Sequence, residues 1–135
     1  MKLSERIPLG ASATKQVQVT REMTVAHHVD GMPEVYGTPI MIFHMETAAG
    51  EAIMPHLPDG CISVGVVVNV KHLAATPVGA TVTVKAEVVG VSDATVTFAV
   101  EAHDGVEKIG EGTHVRAPVE LERFLRKVAG KAEKR

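Results

Sequence analysis

The chain has 135 residues, 45% of them hydrophobic and only 3% aromatic, with a net charge of −2. That is the size of one domain, residues 1–135, with a core of Val, Ala, Ile and Met, and it lacks the basic excess of a general nucleic-acid binder. A single cysteine, Cys61, rules out an internal disulfide and zinc-type spacing, and no apolar run approaches the roughly 20 residues of a membrane span.

The opening segment MKLSERIPLG lacks the apolar core of a signal peptide, which predicts a soluble cytoplasmic protein. Residues 14–20 (TKQVQVT) alternate and predict a strand with Val17 and Val19 on one face. Residues 21–37 are irregular and carry His27, His28, Gly31, Pro33 and Gly37; a connection that long in a small domain often serves as a lid or binding loop. Residues 38–56 (TPIMIFHMETAAGEAIMPH) predict one long helix. Thr38 is placed to cap it, Pro39 suits the first helical position, and Pro55 and Pro58 end it. The segment is apolar almost all round, so the helix is expected to be buried, with one carboxylate, Glu46, inside that surround.

After the Asp59-Gly60 turn, residues 61–73 (CISVGVVVNVKHL) are Val-rich and read as a central strand with Gly65 inside it. A glycine there marks a bulge or a close backbone approach. Residues 81–91 alternate, with Val82, Val84, Ala86 and Val88 on one face. Residues 94–103 do the same with Val96, Phe98, Val100 and Ala102. Asp104-Gly105 is a two-residue hairpin signal, and residues 106–117 read as a last strand loosened by Gly110 and Gly112. Residues 118–135 form a charged amphipathic tail in which Leu121, Phe124, Leu125 and Val128 are expected to dock as a short helix. One helix followed by strands in series defines an α+β fold: an antiparallel sheet of about five strands wrapped around one long buried helix. Such a sheet leaves an edge strand and one side of the helix poorly covered, which predicts a homodimer or tetramer through edge pairing.

The segments PEVYGTPIMIFHMETAAGEAI, VKHLAATPVGATVTVKAEV and HDGVEKIGEGTHVRA resemble hotdog-fold acyl-CoA thioesterases, in particular the fluoroacetyl-CoA thioesterase branch. The similarity runs roughly from Val29 to Val128. It implies a homodimer with sites at the subunit interface that cleaves an acyl-CoA thioester without metal, coenzyme A entering as part of the substrate. Position by position, it implies catalytic roles for Thr38, Glu46 and His72, a backbone donor at Gly65, and a ligand-site arginine at Arg116. The branch has a glycine where Pro39 stands, so a carbonyl docked at the helix start must use Ile40 or Met41. Its two lid aromatics align with Met32 and Val29, which counts against fluoroacetyl selectivity. A lid of Val29, Met32, Val35 and Tyr36 suggests a small, mostly apolar pocket.

Thioester hydrolysis needs an activated water or a nucleophile, and a group to hold the developing oxyanion. A carboxylate in apolar surroundings is a stronger base, which suits Glu46 as general base or nucleophile; the structural alternative is a buried ion pair with His72, Lys71 or Arg116. His72 ends a strand, where histidines are often simply satisfied. Beside Glu46 it can orient the base, steady the oxyanion or protonate the leaving thiolate. Arg116 can meet a phosphate of coenzyme A or an acyl carboxylate, or lie on the surface. Eight residues of helix rise about 12 Å, so Thr38 and Glu46 of one chain should not meet one carbonyl, and each site is expected to combine two subunits. His27, His28, His44, His56, His103 and His114 lack ligand-like spacing, and no metal is expected. Two other readings compete: a non-catalytic acyl-CoA-binding protein, and a hotdog hydratase or dehydratase, weakened because no Asp lies between Asp30 and Asp59.

Overall fold

Alternation in three segments builds the sheet. The structure, a computed structural model, describes residues 2–134. Strands β1 (Ser12–Gln18), β3 (Thr81–Val91) and β4 (Val96–His103) each turn every second side chain inward. Val82, Val84, Ala86 and Val88 of β3, and Val96, Phe98, Val100 and Ala102 of β4, are all buried, as their pattern predicts. With β2 (Cys61–His72) and β5 (Lys108–Glu120) they form a five-stranded antiparallel sheet in the order β1-β3-β4-β5-β2. The Val-rich strand is therefore an edge strand of this chain and not a central one. Val66, Val67 and Val68 are about half exposed, because no strand of the same chain covers them.

Residues 21–37 are more ordered than their composition suggests. They contain a turn of 3₁₀ helix (Arg21–Met23) and the short helix α1 (Val25–His28), tied down by bridges Thr24 to Tyr36 and Val35 to Pro77. Helix α2 (Thr38–Ile53) lies across the inner face of the sheet and passes into a 3₁₀ turn over Met54–His56. Its cap is Gly37 and not Thr38, whose hydroxyl faces the end of β2 instead. Met41, Met45, Ala48, Ala49, Ala52 and Ile53 are buried against the strands, a stripe with helical spacing. The opposite face is not buried: Phe43 is 58% exposed. The apolar circumference thus has a sheet on one side only.

Gly110 does not loosen β5; it admits the helix. A Cβ there would stand 2.6 Å from the Met41 sulfur and 3.0 Å from the Met45 methyl. At Gly112 a Cβ would meet the Asn69 carbonyl oxygen of β2. The β4–β5 connection is a four-residue turn, 104–107, and not a two-residue one. Asp104 Oδ1 accepts the N–H groups of Val106 and Glu107, each at 3.0 Å, and Gly105 takes φ 90°. The tail forms helix α3 (Leu121–Glu133) but does not dock: none of its residues is buried. Among the described residues no helix is long and apolar enough to cross a membrane.

The Gly110 contact yields a stability prediction. Gly110→Val should force Met41 and Met45 off the sheet and cost about 2 kcal/mol, the usual size of overpacking a core. Urea unfolding should show a lowered midpoint with an unchanged slope.

Candidate functional site

The start of α2 meets the end of β2. There Thr38 Oγ1 and His72 Nδ1 are 2.6 Å apart, which joins two of the expected catalytic residues. Val25, Val35, Tyr36, Leu73 and Ala74 line the cleft around them. The other ring nitrogen, His72 Nε2, is buried with no hydrogen bond of good geometry among the described residues, although the Ala74 backbone lies near enough to the ring to raise its pKa against the larger effect of burial. Pro39 has no N–H, and the N–H groups of Ile40 and Met41 donate to the Gly37 carbonyl at 3.1 and 3.0 Å. The helix start therefore does not offer those two donors to a substrate carbonyl, against expectation. Tyr36 is buried, with its hydroxyl on His44 Nδ1, so it forms the floor of the cleft and not a mobile lid. Met32 stands exposed on the preceding loop and lines neither this cleft nor the next.

Two turns along α2, Glu46 faces a second, mostly apolar cleft lined by Phe43, Thr47, Ile62, Ser63 and Arg116. Its side chain is 35% exposed, so the carboxylate is only partly removed from water. Arg116 Nη1 lies 3.8 Å from Glu46 Oε2, and the arginine side chain is only 12% exposed. Each guanidinium nitrogen has a partner within the chain. Nε donates to Ser63 Oγ at 2.7 Å and Nη2 to the Ser63 carbonyl at 2.8 Å. Nη1 donates to the Glu46 carbonyl at 3.4 Å and to His114 Nε2 at 3.2 Å.

Gly65 explains how the carboxylate reaches the strand. The β2–β5 register shifts between Gly65 and Val67, so the expected bulge is present, and so is the close approach. A Cβ at Gly65 would stand 2.6 Å from Glu46 Oε2 and 3.2 Å from His114 Cε1. Within one chain, the imidazole beside Glu46 is thus that of His114, while His72 belongs to the other cleft. His114 has no metal-type spacing to single it out in the sequence. The usable signal was its place two residues before Arg116, on the same inward face of a strand.

Residues 19–122 match the family of fluoroacetyl-CoA-specific thioesterases. The fluoroacetyl-CoA thioesterase of Streptantibioticus cattleyicolor is 48% identical over 99 residues, 73% of this chain and 71% of that protein. A solved structure of the fluoroacetyl-CoA thioesterase FlK matches with a TM-score of 0.87 at 41% identity, over 92% of this chain and 96% of that one. A thioesterase superfamily member from Thermus thermophilus matches with a TM-score of 0.85 at 30% identity, over 96% and 98%. Sheet, helix and relatives together place the protein among the hotdog acyl-CoA thioesterases, which are thioester hydrolases. More narrowly, the chain belongs to the fluoroacetyl-CoA-specific thioesterase family.

Two predictions follow from the geometry of the clefts. Gly65→Ala should push the Glu46 carboxylate aside and lower kcat about 100-fold, the scale of a 1 Å misplacement, while the melting temperature barely moves. Thiol-release kinetics and a thermal melt would check both parts. The second concerns pH. Burial, as the largest cause, lowers the pKa values of His44, His72 and His114 below the ordinary 6.5. The unfolded chain takes up these protons near pH 6.5 and the folded chain resists them. Their contribution to stability is therefore complete above about 6.5 and is lost as the pH falls below it. Urea unfolding at pH 8.5, 7.5 and 5.5 should show stability nearly constant across the first interval and falling across the second.

Proposed function

We propose that the protein hydrolyses a small acyl-CoA thioester at sites shared between two copies of the chain. The observation that carries this reading is the unpartnered Nε2 of His72 beside the Thr38 contact. With the Thr38 hydroxyl donating to Nδ1, the neutral ring carries its proton on Nε2. A buried N–H without a partner is costly, and a thioester oxygen or departing sulfur relieves it. Burial keeps the ring in that neutral form at ordinary pH.

In the proposed reaction Glu46 takes a proton from water as the water oxygen attacks the thioester carbonyl carbon. His72 Nε2–H holds the oxygen on which charge develops. The carbonyl then re-forms as the C–S bond breaks, and the proton held on Glu46 passes to the departing coenzyme A thiolate, giving a carboxylic acid and free thiol with Glu46 ionised again. Direct attack by the Glu46 carboxylate is the alternative. It would form an anhydride between the acyl group and Glu46 as the coenzyme A thiolate departs, and water attacking the Glu46 carbonyl of that anhydride would leave ¹⁸O from labelled water in the side chain. Arg116 steadies Glu46 from behind, and the Gly65 backbone lies beside the carboxylate. No metal and no separate cofactor is invoked.

Within one chain Thr38 and His72 line one cleft and Glu46 the other, and eight helical residues span about 12 Å. A second copy brings the two sets together if it pairs with the open edge of β2 and covers the exposed face of α2. The half-exposed Val66, Val67 and Val68 and the exposed Phe43 support that arrangement, a homodimer or an assembly of dimers. Two of the matched relatives are named for fluoroacetyl-CoA. For this chain we propose a short, mostly apolar acyl group with no preference for fluorine, because Met32 and Val29 stand where that branch has lid aromatics. A reducing cytoplasm suits the single cysteine and a coenzyme A substrate.

Incubation with a panel of short acyl-CoAs and a thiol reagent should show thiol release that falls at least about 1,000-fold in Glu46→Ala and in His72→Ala. Tight binding of acyl-CoA without turnover would instead make the protein a carrier. Co-expression of the two variants separates a shared site from a local one. In a two-fold dimer, half the molecules are mixed and one of their two sites is intact, so about a quarter of the activity should return. A site complete within one chain would recover none.

A further inference from the structure

We propose that His114 is a positioning residue that sets the Glu46 carboxylate through Arg116 and through the register shift of β2, an inference that rests on the thioesterase reading above. His114 is 1% exposed and stacks against Phe98, with ring centroids 6.2 Å apart. Its Nδ1 lies 2.7 Å from the Val67 carbonyl oxygen. A carbonyl can only accept, so Nδ1 carries the proton. Its Nε2 lies 3.2 Å from Arg116 Nη1, which can only donate, so Nε2 must present its lone pair. Only the neutral ring with its proton on Nδ1 meets both demands. A protonated ring would set an N–H against the guanidinium.

Each of the two contacts ends at Glu46. Val67 is the first residue paired with β5 after the register shift, so the Nδ1 bond fixes the strand where it bends. That bend leaves Gly65 between the imidazole and the carboxylate, with room for no side chain. The Nε2 bond holds the guanidinium nitrogen that also donates to the Glu46 carbonyl and faces the Glu46 carboxylate. Ser63 fixes the other two guanidinium nitrogens, so His114 is what aims the third. The ring itself lines neither cleft and acts through its neighbours, Arg116 foremost.

The test uses three variants of the full chain in the thiol-release assay. His114→Gln can place an amide oxygen near the Nε2 position and still accept from Arg116. His114→Asn can keep a donor toward Val67 but reaches Arg116 poorly. His114→Phe keeps the ring's bulk against Phe98 and loses both bonds. The expected order of kcat is wild type, then Gln, then Asn and Phe lowest. The last two should fall about 100-fold while KM stays within about threefold. A loss confined to KM would overturn the proposal, as would equal losses in all three variants. So would kcat within about threefold of wild type in Asn and Phe. If Phe fails to fold, the comparison of Gln with Asn carries the same decision. A wild-type chain that releases no thiol from any acyl-CoA sinks the thioesterase reading instead. An active wild type with unaffected variants sinks this inference alone.

Discussion

Helix α2 rests on its sheet at two places where the strands have no side chain. At Gly110 the helix presents Met41 and Met45, and at Gly65 it presents the Glu46 carboxylate. The first contact is apolar and sets the depth of the helix against β5. The second brings a charged group within reach of a strand backbone and of two basic side chains. A residue with a Cβ at either position would lift the helix or turn its side chains, and the candidate site depends on both staying where they are. The protein's chemistry is thus positioned by absences in the sheet as much as by the groups on the helix.

Charge around Glu46 is arranged for orientation more than for stability. A carboxylate 35% exposed and 3.8 Å from a guanidinium gains little from the attraction, because water screens it. What the arginine receives is geometric. Ser63 and His114 fix its planar fork from two strands, and the fork in turn presents one nitrogen to Glu46. Partial exposure also fits the chemistry, since a general base must be reached by water. A fully buried ion pair, the structural alternative for this residue, would have closed that route.

Strands that cover one face of a core announced themselves. β3 and β4 alternate strictly, and their buried residues are the ones their pattern names. β2 did not, because a Val-rich run signals burial on both faces without saying which molecule supplies the second cover. α2 misled in the same way: its circumference is apolar all round, yet the chain covers only the side carrying Met41, Met45 and Ala49. α3 shows an apolar stripe that finds no cover in this chain. The family resemblance named Thr38, Glu46, His72, Gly65 and Arg116, and the fold gathers them into two groups. His114 carries no ligand-type spacing, since its two bonds are to a backbone carbonyl and to an arginine, and its place two residues before Arg116 is the mark it leaves in sequence.

The division into two groups follows from the helix itself. Thr38 begins α2 and Glu46 lies eight residues on, so a straight helix holds them about 12 Å apart whatever the loops do. No rotamer change closes that gap, and the strand partners of the two groups sit at opposite ends of β2, His72 at its last residue and Ser63 and Gly65 near its first. In an antiparallel pairing of β2 with a second β2, the end of one strand lies beside the start of the other. That operation carries the His72 end of one copy toward the Gly65 end of its partner without bending any element. The same edge that leaves Val66, Val67 and Val68 uncovered is therefore the one along which a two-fold axis would unite a complete set of groups, and would do so twice.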